Sequence, residues 1–262
     1  QENSKVSKSV GRKTVIYVSS IHMSMENDMD TWVQHYANLQ KDRKLRTALL
    51  SIFGLIGLIT FISVSEGNNS DFRLPIYTPA DLDPDWVDES IQNSTEPHIV
   101  HDFEFTNQNG NIIDERTVAG KIYVAEFFFT TCPGICPTLT KHTKRIQDEF
   151  IDDDDVLILS HTVYPEHDSV QVLKAFAEMH DIKSTKWHLL TGSKEDLYGI
   201  SRKGYFAISY EPDLSEYAFI HTENVVLVDK DRRLRGIYNG TKPHEINRLI
   251  EDIHVLKKEY ES

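Results

Sequence analysis

Nine residues, Lys121 to Phe129 (KIYVAEFFF), make a nearly unbroken apolar run that leads into Thr130-Thr131-Cys132-Pro133-Gly134-Ile135-Cys136-Pro137 and then into helical spacing. A strand that is apolar on both faces must be covered on both faces, which places it inside a sheet flanked by helices. The same grammar continues downstream. Leu139, Ile146 and Phe150 mark one face of a helix over 137–150, and VLILSHTV (156–163) is a second buried strand. Asp168 is placed to cap a helix running to about His180, with Val172, Leu173, Phe176 and Ala177 inward. WHLL (187–190) is a short strand, and Ser193 to Asp196 resembles a capping box for a helix ending near Gly204. NVVLVD (224–229) and RLRGIY (233–238) predict an antiparallel pair, and Pro243 opens a last helix with an apolar stripe of Ile246, Leu249, Ile250, Ile253 and Leu256. Upstream, IVHDFEF (99–105), Asn109-Gly110 and Asn111-Ile112-Ile113 predict a short hairpin. The fold class is α/β, a central sheet flanked by helices with an N-terminal β-hairpin. A cysteine pair at the first strand-to-helix junction makes thioredoxin-like the leading architecture.

The 262 residues divide around a second feature, Thr47 to Ser65, nineteen residues without a charge. That length suits a single transmembrane helix. Residues 1–46 carry a net charge of +3 and the remainder −16, and KDRKLR abuts the apolar run. The positive-inside rule keeps residues 1–46 in the cytoplasm and exports the rest, so the expected location is the inner membrane with the domain in the periplasm. A cleaved signal peptide is the alternative, with small residues at Ser63 and Ser65. Residues 66–97 then read as a tether with Pro75, Tyr77 and Trp86 as contact points, and 98–262 as the folded domain. The overall charge of −13 argues against nucleic acid as a partner.

Two cysteines cannot build a disulfide framework, and a domain this size does not need one. Thiols in the turn and first residue of a helix meet unpaired N–H groups and the positive end of the helix dipole, which stabilise thiolates. Thiol oxidoreductases typically place two residues between their cysteines. Here there are three, which lets both sulfurs converge on one soft ion. Zinc and iron–sulfur sites require cysteines this chain lacks, so two thiolates and an imidazole suit Cu(I) best. Of twelve histidines, His221 stands out because it precedes the hairpin strand at 224, where a thioredoxin-like fold brings the chain back to the cysteine loop. His22, Met23, Met25 and Met29 form a second cluster of soft donors, read more simply as part of an amphipathic stretch.

FFFTTCPGICPTLT, SHTVYPEHDS (160–169), KWHLLTG (186–192) and IHTENVVLVDKDRRLRGIYNG (220–240) together resemble the SCO/SenC family of copper chaperones, in order and spacing, from about Pro75 to Tyr260. The resemblance implies a thioredoxin-like domain behind one membrane anchor, with Cys132, Cys136 and His221 as ligands of Cu(I) or Cu(II). It implies delivery of copper, received from a donor protein, to the copper-bearing subunit of cytochrome c oxidase. It also leaves open a thiol-disulfide oxidoreductase that reduces that subunit's cysteines through a reversible Cys132–Cys136 disulfide. A peroxidase would want an arginine beside its cysteine, and the nearest downstream is Arg145. Two positions depart from the family pattern: Gly134 replaces an acidic residue between the cysteines, and Tyr164 replaces an aspartate before Pro165-Glu166.

Overall fold

The computed structural model describes residues 31–36, 43–67, 73–207 and 222–261. The His22, Met23, Met25 and Met29 cluster and His221 lie outside them. Two compact units separate between Asp71 and Phe72.

In the first unit, α1 (Arg43–Gly67) is one continuous helix of 25 residues. Its side chains from 47 to 60 are exposed, with Leu50 at 70% and Phe53 at 71%. Among the described residues no helix is long and apolar enough to cross a membrane, so the spanning helix expected at 47–65 is not shown.

The second unit holds β1 (Glu104–Asn107), β2 (Ile112–Asp114), β3 (Ile122–Phe128), α2 (Cys136–Glu149), β4 (Val156–Thr162), α3 (Val170–Met179), β5 (Trp187–Thr191), α4 (Lys194–Gly199), β6 (Asn224–Val228), β7 (Leu234–Asn239) and α5 (Pro243–Glu259). One seven-stranded sheet runs in the order β2-β1-β5-β4-β3-β6-β7. The three central strands β3, β4 and β5 are parallel, while β1, β2, β6 and β7 join antiparallel to their neighbours. Every residue of β3 and β4 is buried, as their two-faced apolarity requires. Fully burying one of their large side chains contributes about 1.5–3 kcal/mol. α2 packs on α5, which also lies over β7 and β3, whereas α3 lies against β5 and β1. The close approach of α2 explains Gly240: a Cβ there would fall 2.3 Å from Leu139 Cδ1 and 2.6 Å from Val225 Cγ2.

Two expectations shift. The first strand begins at Glu104 rather than Ile99, because Ile99 forms an isolated bridge with Arg233 instead. Asp168 does not cap α3. Ser169 does, accepting from Val172 N at 3.4 Å, and Asp168 turns inward to the site described below. The helix at 194 is also interrupted, passing from α4 into a single π-turn at Ile200–Gly204. Residues 74–77 are bound to β7 and α5. Arg235, 3% exposed, donates to the carbonyls of Leu74 and Pro75 and to Glu259, and Tyr77 N donates to Leu234 O at 2.9 Å.

Candidate metal and thiol site

β3 ends and the chain turns sharply, with Cys132 N donating to Phe129 O at 3.2 Å, before α2 starts at Cys136. Ile135 is the N-cap and offers no side-chain cap, and Pro137 sits in the first turn, where its missing N–H costs nothing. Both cysteines are free thiols, 7% and 6% exposed, at the rim of the core.

They are chemically unequal. Burial works to raise the pKa of Cys132, but the thiol of Cys136 and the N–H groups of Cys136, Gly134 and Ile135 outweigh it and hold the value below the ordinary one. The helix start thus acts on Cys132 as the sequence leads one to expect, whereas the expectation of two accessible thiols of lowered pKa fails for Cys136. Cys136 is pushed up to about 12 by burial, by its hydrogen bond with Cys132 and by the charges of Cys132 and Glu126, against a favourable contact with the Phe129 backbone. Cys132 is thus the more readily ionised thiol, and Cys136 holds its proton more tightly.

Beside the turn, a buried carboxylate organises the end of β3. Asp168, 0% exposed, accepts from Thr130 N (3.1 Å) and Thr162 Oγ1 (2.5 Å) through Oδ2, and from Thr130 Oγ1 (2.5 Å) and His167 Nδ1 (2.9 Å) through Oδ1. The loop carrying it is tied to the site by Tyr164, which packs edge-on to Phe129 at 6.5 Å and stacks on His167 at 5.5 Å. Beneath the turn, Glu126 accepts from Thr143 Oγ1 and Ser160 Oγ, both at 2.6 Å, and Ser160 in turn accepts from Trp187 Nε1 at 2.6 Å. Desolvation lifts Glu126 to about 7 despite both hydroxyl donors. Sequence reading missed Glu126 and misassigned Asp168. The signal for the first was there, a lone acid inside an apolar strand.

The structure brings Cys132 and Cys136 together. Among the described residues no cluster of three or more His, Cys, Asp or Glu side chains could hold a metal, so the pair needs a further donor from elsewhere. The β3–β6 register pairs Tyr123 with Val228 and Ala125 with Val226. Two adjacent thiols at a helix start suit a soft ion. Arg145 donates to Asn247 on α5 rather than serving a peroxidatic thiol.

The sequence pattern of the SCO1/SenC family matches residues 91–258. The SCO1 protein homolog of Bacillus subtilis is 32% identical over 156 residues, which are 59% of this chain and 80% of that protein. A SCO1/SenC family lipoprotein from Bacillus anthracis superposes with a TM-score of 0.55 at 28% identity, covering 63% of this chain and 98% of that one. BsSco, described as a member of the Sco family of cytochrome c oxidase assembly proteins with a disulfide switch, gives 0.54 at 30% identity, covering 62% and 95%.

Proposed function

The chain belongs to the SCO1/SenC family, and from that premise we propose that it is a copper chaperone that loads the copper-bearing subunit of cytochrome c oxidase during assembly. The observation that carries this reading is the pair of adjacent buried thiols at the start of α2, with Cys132 the more readily ionised of the two. In this reading His221 is the third ligand. Bound copper would supply soft Lewis acidity held by Cys132 and Cys136, while Asp168 and Thr130 fix the end of the strand from which the turn departs.

A second reading has its own support. A thiol of lowered pKa beside one that holds its proton more tightly is also the arrangement of an attacking and a resolving cysteine. In a disulfide reductase, Cys132 attacks a partner disulfide, a mixed disulfide forms, and Cys136 displaces the partner's second thiolate.

His221→Ala separates the two. We expect Cu(I) affinity to fall by orders of magnitude while reduction of a model disulfide is largely retained. Oxidase assembly should then fail at limiting copper and recover partly with excess. Normal assembly at limiting copper with Cys132→Ser inactive would reverse the ranking.

The residues 47–65 within α1 are assigned as a single-pass inner-membrane anchor, with the copper domain in the periplasm. The supports are the charge-free run of the sequence and its basic flank. A periplasm-specific reporter fused after Ser262 should be active and one fused after Arg46 silent, and the reverse pattern would overturn the orientation.

A further inference from the structure

The segment that follows α4 closes over the sheet in a costly conformation. It passes through the π-turn at Ile200–Gly204 and then buries Tyr205, Phe206 and Ala207. Phe206 has a φ of +47°, in the left-handed region that a bulky side chain rarely occupies. Beneath it, Tyr205 packs against Tyr123 and Phe127 of β3 and His161 of β4, with ring centroids 6.4, 6.1 and 5.5 Å away. This buried face is short of hydrogen bonds. Neither ring nitrogen of His161 nor the hydroxyl of Tyr123 or Tyr205 has a partner of normal geometry. The two hydroxyls lean on each other and the imidazole on the backbone of Glu126 and Leu159, too poorly aligned to satisfy them. Buried polar groups in that state destabilise the closed arrangement.

The same segment has open space on two sides. A cavity of about 800 Å³ lies toward β1, lined by His101, Phe103, Phe105 and Ile200. A second, of about 450 Å³, lies toward Trp86 and Ile91, and Gly199 and Lys203 border both. Few ties hold the segment down. His98 Nε2 donates to Gly204 O at 2.9 Å, with its ring 4.2 Å from that of Phe206. His98 is itself fixed, because its N donates to Tyr77 O and Tyr77 N donates to Leu234 O of β7. At the far end Asn224 Nδ2, from the first residue of β6, donates to Ala207 O at 3.2 Å. We propose that residues 200–207 are a metastable cover, latched by His98, that lifts from β3 and β4 as a unit while the sheet stays folded. Lifting relaxes Phe206 and lets water reach the imidazole and both hydroxyls, which offsets part of the lost packing. It also frees Asn224, at the start of the strand paired with β3.

Native-state hydrogen exchange tests this on the reduced full-length protein, read by mass spectrometry in urea below the unfolding midpoint. The probes are the amides of Tyr205 and Ala207, which donate to Ile200 O at 3.0 Å and Ser201 O at 2.9 Å. The reference is Ile158 of β4, whose amide donates to Lys186 O at 2.9 Å. In wild type the two cover amides should exchange at least about 100-fold faster than Ile158, with a much smaller urea dependence, because a local opening exposes little surface. His98→Phe keeps a ring against Phe206 but removes the donor, and should speed cover exchange about fivefold. Tyr123→Phe combined with Tyr205→Phe removes both hydroxyls without adding volume, and should slow it by about as much. Equal protection of the cover and Ile158 in wild type, which needs no variant to fold, would overturn the proposal. An unchanged cover rate in His98→Phe, or a faster one in the double tyrosine variant, would overturn it as well.

Discussion

Asp168→Ala removes an acceptor that four donors share. Two of them, Thr130 N and Thr162 Oγ1, converge on Oδ2, and the other two, Thr130 Oγ1 and His167 Nδ1, on Oδ1. A hydrogen bond to a charged group is worth about 1.5–3 kcal/mol, and a buried donor left unsatisfied costs about 1–3 kcal/mol. His167 is 41% exposed and can turn to water, so its share is small. The Thr130 hydroxyl is near enough to the surface to do the same. The Thr130 N–H and the fully buried Thr162 hydroxyl cannot, and together they set an expected loss of about 3–5 kcal/mol. Against a total of about 5–15 kcal/mol this is a large fraction. With a urea slope of about 2 kcal/mol/M, the unfolding midpoint of the reduced protein should fall by about 2 M. Asp168→Asn keeps the volume and one carbonyl acceptor and should lose about half as much. Copper affinity should fall in the same order, because Thr130 stands two residues before Cys132. A midpoint for Asp168→Ala within about 0.5 M of wild type would refute the assignment of Asp168 as the anchor of this turn.

The two thiols should alkylate in sequence as pH rises: Cys132 with iodoacetamide at a midpoint below its ordinary value, Cys136 only toward about 12, read by mass spectrometry. Equal labelling at pH 8 would contradict the asymmetry. Glu126 has its folded pKa raised to about 7 from 4.5, so the native state keeps a proton that the unfolded chain has lost. Its stability contribution is therefore full below pH 4.5 and declines as pH rises through 7, by roughly 3 kcal/mol at about 1.4 kcal/mol per pH unit. Urea midpoints at pH 5 and pH 8 should differ for wild type and converge for Glu126→Gln. Tyr164→Asp restores the family's carboxylate without touching a ligand, and should leave one copper per chain while changing transfer to the oxidase subunit. Loss of stoichiometric binding would place Tyr164 in the coordination itself.

Elements whose identity depends on periodicity were legible in the sequence. β3, β4, β6, β7, α2 and α5 all fall within a residue or two of where apolar spacing puts them, because burial on one or both faces dictates that spacing. Both cysteines were legible as well, since a strand-to-helix junction is a local feature. What escaped were polar groups whose partners are distant in sequence. Asp168 looks like a helix cap beside Ser169, and only the parallel pairing of β3 with β4 brings Thr130 and Thr162 to it. Arg235 reads as a solvent-facing strand residue until Asp229, Glu259 and the carbonyls of Leu74 and Pro75 surround it. Glu126 looked like a break in an apolar run, and nothing local says that two hydroxyls from different elements will receive it.

The same physical terms account for the departure at position 134. Gly134 has an ordinary backbone conformation, and a Cβ there would lie 3.9 Å from Cys132 Sγ, a normal contact. Space therefore does not demand glycine. An acidic side chain at this position would place a second negative charge beside the sulfur that the Gly134, Ile135 and Cys136 N–H groups stabilise as a thiolate. Glycine leaves that cradle unopposed, so the backbone N–H groups act on Cys132 without a competing carboxylate at position 134. In the copper reading, Cys132 would be the first sulfur to hold an entering soft cation and Cys136 the second, after losing its proton. The order would follow from the helix start, which outweighs burial at Cys132, while burial prevails at Cys136. An aspartate at position 134 should make the two thiols more alike and slow the first contact with Cu(I), while Cys136 keeps its proton under the same burial.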